Sequence, residues 1–123
     1  MIKQILLILL GIFFLLNGIN HFYNTQVLKE YAKKRGMIAP KVMVYLSGIL
    51  LVLGGLSMIS GIWITQGIIA LCIFLILASF MLHKFWQEKK RMMMMLEAMH
   101  FVKNWAILFE LLYIASVIEG WEI

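Results

Sequence analysis

Three histidines stand near the ends of long apolar runs, each with polar companions at helical spacing. Asn17, Asn20 and His21 fall at i, i+3 and i+4; Ser79, His83, Trp86 and Gln87 repeat that rhythm, and His100, Lys103 and Asn104 repeat it again. On a helix these intervals put side chains on one face. Imidazole exchanges a proton near neutral pH, and amide and ammonium groups can hold a developing anion. Such a set suits the head group of a quinone, whose carbonyl oxygens need donors and whose reduction takes up protons. Trp86 or Phe85 would flank the ring. The plainer alternative is mutual satisfaction, with the polar side chains capping and bridging helices and Trp86 anchoring at the interface. Three histidines also suit zinc or iron. Here, however, each comes from a different segment with no paired ligand at i+4, so no metal site is expected. Glu110 lies seven residues beyond Lys103 on almost the same face. It is either a step in a proton relay or a neutral acid bonded to a backbone carbonyl.

Which elements would position these groups follows from composition. Of 123 residues, 63% are apolar and only 14% charged, too few polar side chains to cover a soluble domain of this size. The solvent for most of the chain is hydrocarbon. Spans are expected near residues 4–22, 42–61, 64–83 and 104–118, each close to the length that crosses a bilayer. Residues 42–82 carry no charge at all, and Gly61 and Gly67, bracketing Trp63, Thr65 and Gln66, mark where this stretch turns back. The first run resembles a signal sequence, but no small-x-small cleavage site follows, so it reads as a retained span. Between the first two spans, Val27, Leu28, Tyr31, Ala32 and Met37 alternate with Lys29, Lys33, Lys34 and Arg35. That pattern predicts a short amphipathic helix in the interface, ending near Gly36. Residues 84–103, polar and then methionine-rich, are expected to form the amphipathic start of a long last helix. The expected fold is all-α: one domain, an integral membrane four-helix bundle with a short interfacial helix after the first span.

Charge sets the expected orientation. Of the eleven Lys and Arg residues, every one but Lys3 lies within residues 29–41 or 84–103. Both segments would then be cytoplasmic and both termini outside, and all three polar sets would open at the basic face. Basic residues placed this way match anionic lipid rather than nucleic acid. The single Cys72 sits in an apolar run, which excludes an internal disulfide and dithiol chemistry. In the second span Ser47, Gly54 and Gly61 recur every seven residues, with Gly48 and Gly55 beside them, a surface on which helix backbones can approach closely.

Several phrases resemble one family. Gly18-Ile-Asn-His21-Phe, Gly36-Met-Ile-Ala-Pro40, Ser47-Gly48, Leu53-Gly54-Gly55-Leu, His83-Lys-Phe85-Trp86 and Phe101-Val-Lys103-Asn104-Trp look, in order and over nearly the whole chain, like the DoxX family of small membrane proteins. The resemblance implies a multi-pass protein of the bacterial cytoplasmic membrane. It also implies an association with quinone-linked or redox-stress oxidoreductase complexes, the family being named for a subunit of a thiosulfate:quinone oxidoreductase. Its recurring residues here are His21, His83, Trp86, Lys103 and Asn104. Glu110 and the methionine tract at 92–95 depart from the family's pattern. Two functions follow as expectations. One is a quinone-binding membrane subunit whose head-group site is formed by Asn17, Asn20, His21, His83, Trp86, His100, Lys103 and Asn104. The other is a non-enzymatic subunit that stabilises a larger complex or self-associates through its glycine and methionine surfaces.

Overall fold

The computed structural model describes residues 1–118. Its elements are α1 (Ile2–Tyr23), α2 (Thr25–Lys34), α3 (Pro40–Ser60), α4 (Ile64–Met81), a 3-10 turn (Phe85–Gln87) and α5 (Arg91–Val117). There is no strand among the described residues.

Apolar composition explains both the helices and their surroundings. In hydrocarbon every backbone polar group must be satisfied within its own segment, which favours helices. Large apolar side chains are exposed along every long helix, among them Leu6, Leu9, Phe13, Ile49, Leu53, Ile69, Ile73 and Phe109. Such continuous apolar exposure marks a surface that faces lipid. Three helical segments, Ile2–Tyr23, Pro40–Ser60 and Ile64–Gln87, are long and apolar enough to cross a membrane. The α5 helix, which carries Arg91, Glu97, Lys103 and Glu110, is not among them.

The long helices form an open row. The α1 helix packs on α3, α3 on α4 and α4 on α5, while α2 lies against α3; among the described residues no Cα–Cα approach within 8 Å joins α1 to α5. The core runs along the row through Phe14, Leu51, Met58, Ile64, Ile68, Leu71, Leu75, Leu108 and Leu111.

The glycines of α3 serve two neighbours. Gly55 and Gly11 of α1 touch so closely that a Cβ on either would lie 2.7 Å from the other's carbonyl oxygen. Gly54 faces the other way, where a Cβ would lie 2.4 Å from Leu71 Cγ on α4. Gly61 ends α3 in the left-handed region at φ 76°, where a side chain is disfavoured.

The turn falls where the expected spans place it, with Gly61 ending α3 and α4 starting at Ile64, but Gly67 does not mark it: it lies inside α4, buried against Ser57. A second difference bears on the site. The α4 helix stops at Met81, and the amides of Leu82 and His83 both donate to the Ala78 carbonyl oxygen. The helical face expected for Ser79, His83, Trp86 and Gln87 therefore breaks at His83. The last helix begins at Arg91, so residues 84–90 are a connection rather than part of it.

Candidate functional site

A cavity of about 460 Å³ lies where α1 and α5 stand apart. Its walls are mainly apolar, with Phe14, Leu51, Phe74, Leu75 and Ala78 among the lining residues. Leu28, Tyr31 and Ala32 of α2 cover one end. The polar lining gathers there too: Asn17 and His21 from the end of α1, His83 just past α4, and Lys103 and Asn104 from α5. Asn104 is 7% exposed, whereas Lys103 is exposed.

Three of the eight expected head-group residues stand elsewhere. Asn20 is exposed, and its side chain accepts from Asn24 Nδ2. Trp86 is half exposed and belongs to an aromatic group with Phe80, Phe85 and Phe101. His100 is exposed and does not line the cavity, but it stacks on His83 with ring centroids 5.0 Å apart. Glu110 is also exposed, away from the cavity lining. No group of three or more His, Cys, Asp or Glu side chains is placed to hold a metal ion among the described residues.

The residue that organises this end is Glu97, which spacing alone did not single out. Its carboxylate is 2% exposed and meets donors from two other parts of the chain. Arg35 Nε donates to Oε2 at 2.9 Å. Tyr31 Oη donates to the two oxygens at 3.0 and 3.2 Å, and His83 Nδ1 donates to Oε1 at 3.3 Å. The Arg35 guanidinium also sits 4.1 Å over the Tyr31 ring, a cation–π contact. These bonds tie α2 and the segment after α4 to α5 at the mouth of the cavity. Glu97, His100 and Asn104 fall at i, i+3 and i+7, which is the sequence signal that could have found it.

Electrostatics follow from these contacts. Burial alone would push the Glu97 carboxyl up, but the hydrogen bonds from Arg35, Tyr31 and His83 outweigh it and hold the group below the usual carboxylate range. Burial, and then the charge on Glu97, push the Tyr31 phenol up to about 12, so it stays a donor at ordinary pH. A carboxyl depressed in the folded state adds stability above its unfolded value, about 4.3, and loses that stability as pH falls through the folded value. The detergent-solubilised protein should therefore melt at progressively lower temperature as pH drops from neutral through the carboxylate range. Glu97→Gln should flatten that slope; an unchanged slope would show that other carboxylates set it.

With the geometry in place, comparison with known proteins is decisive on one point. The DoxX family model matches residues 3–84, more than half of the chain. The chain belongs to the DoxX family. No curated protein and no solved structure matches it. The DoxX match takes in α1 to α4 with Asn17, His21, Tyr31, Arg35 and His83, and it ends before α5. Glu97, Lys103 and Asn104 thus come from outside the matched segment, yet they complete the cavity and its network.

Proposed function

We propose that this DoxX protein binds the ring of a quinone-type amphiphile at the polar end of its cavity, as a membrane subunit associated with quinone-linked or redox-stress oxidoreductase activity. The supporting observation is a mainly apolar cavity, within the usual size range for a small-molecule site, whose polar lining is concentrated at one end. Asn17, His21, His83, Lys103 and Asn104 would contact the ring, and the isoprenoid tail would run along Phe13, Phe14 and Leu51. In this reading the part of α5 from about residue 104 onward crosses the bilayer as a fourth span, and its Leu108 and Leu111 share the core with residues of α4. The two basic segments face the cytoplasm of a bacterium and both termini face out. The protein purified from native membranes in mild detergent should retain or bind a quinone. His83→Ala should abolish binding and still fold, since Glu97 keeps Arg35 and Tyr31; unchanged binding would remove His83 from the site.

A second reading has its own observation. Glu110 is exposed between Phe109, 60% exposed, and Tyr113, 69% exposed. A carboxylate on a lipid-facing surface is costly unless a partner satisfies it. A non-enzymatic subunit, or one that self-associates, would use this face of α5. Co-purification of stoichiometric partners through it, lost in Glu110→Leu, supports that role, and a lone monomer in mild detergent removes it.

A further inference from the structure

The hydrogen bonds around the cavity have a direction, and the direction selects between two forms of one ligand. His21 Nδ1 lies 2.8 Å from the Asn17 carbonyl oxygen. A carbonyl can only accept, so Nδ1 carries the proton. His83 Nδ1 lies against the Glu97 carboxylate, held ionised by Arg35 and Tyr31, so this ring also carries its proton on Nδ1. In a neutral imidazole the other nitrogen is then an acceptor. Both rings line the cavity, and each has only Nε2 left for an occupant.

The remaining polar lining follows the same rule. Tyr31 spends its single proton on Glu97. Ser47 donates its hydroxyl proton to the Val44 carbonyl oxygen at 2.9 Å, and Asn17 Nδ2 gives one of its two protons to the Phe13 carbonyl oxygen at 2.8 Å, keeping one donor beside its acceptor oxygen. The other donors come from α5: the Lys103 ammonium, which is exposed, and the Asn104 amide, which offers donor and acceptor alike. From α1 to α4 the polar lining is therefore rich in acceptors and poor in donors.

We infer that the cavity recognises a ring through its hydroxyl groups, the reduced hydroquinone form, in preference to the carbonyl-bearing quinone. This rests on the reading of the cavity as a head-group site. Glu97 is a positioning residue here: it touches no ligand but fixes which nitrogen of His83 is bare.

The test measures binding of three probes to the full chain in nanodiscs without oxygen: a short-chain benzoquinone, its hydroquinone, and the hydroquinone dimethyl ether. The hydroquinone should bind about tenfold tighter than either of the others, the order of penalty for leaving a buried acceptor unpaired. In Glu97→Gln the side-chain amide can itself donate to Nδ1, so the His83 proton is free to move to Nε2, and the preference over the quinone should fall toward parity while overall binding persists. Quinone binding as tight as hydroquinone, as a carbonyl docked on Lys103 would give, overturns the inference and leaves the head-group site standing. Failure of all three probes overturns the site itself. Should Glu97→Gln not fold, the comparison of the hydroquinone with its dimethyl ether in the wild-type chain decides.

Discussion

Glu97→Ala should lower the stability of the protein by about 3–5 kcal/mol, the cost of breaking a buried ion pair by removing one partner. The Arg35 side chain is only 13% exposed and would keep its charge with no carboxylate beside it. Tyr31 and His83 would each lose an acceptor in the same step. Because among the described residues α2 and α5 share no Cα approach within 8 Å, these side chains are the connection between them. The loss should therefore appear both as a lower melting temperature in detergent and as faster proteolysis of α2 near Lys33 and Lys34. Replacing Arg35 and Glu97 together by apolar residues of similar volume should recover most of the stability, because no unpaired charge remains. A Glu97→Ala protein that melts like the wild type would show that the carboxylate carries no structural weight.

Gly55→Val should be at least as damaging, through a different physical term. The first added carbon would sit 2.7 Å from the Gly11 carbonyl oxygen and 2.7 Å from the Leu15 amide nitrogen, both backbone atoms that cannot rotate aside. Overpacking costs about 1–3 kcal/mol where side chains can adjust, and more where they cannot. Here α1 would have to move off α3, opening the wall that carries Asn17 and His21. The expected readout is loss of a monodisperse folded peak in detergent. Gly61→Ala, which places a side chain at φ 76°, should cost about 1 kcal/mol in backbone strain and keep the protein folded. Equal behaviour of the two variants would mean that α1 and α3 are not held by backbone contact.

How much of this was legible in the sequence depended on whether the cause was local. The uncharged stretch at 42–82 exposed two helices because length and composition alone decide them, and Gly61 marked the end of α3. Asn17, His21, His83, Lys103 and Asn104 were legible because helical spacing carries side chains to one end of the bundle, and the structure brings all five to one cavity. Trp86 was misplaced because helical spacing was extended past Met81, where the chain turns out of α4. Gly67 was read as a turn signal, although its smallness serves packing against Ser57. Glu97 follows Glu88, Lys89, Lys90 and Arg91, a run that reads as a solvated face. Its spacing with His100 and Asn104 puts it on their side of the helix, but its burial depends on Tyr31 and Arg35, more than sixty positions away, which no local pattern reports.

The open row of helices has a consequence for how the cavity is reached. Exposed Phe13, Leu46, Ile49 and Leu77 stand among its lining residues, so the cavity is open sideways to the acyl chains as well as to water. The occupancy of a guest of the kind proposed would then be governed by partitioning, as a mole fraction of the lipid. A guest too insoluble to be measured in buffer can still saturate such a cleft, and adding detergent dilutes it without any change in the protein.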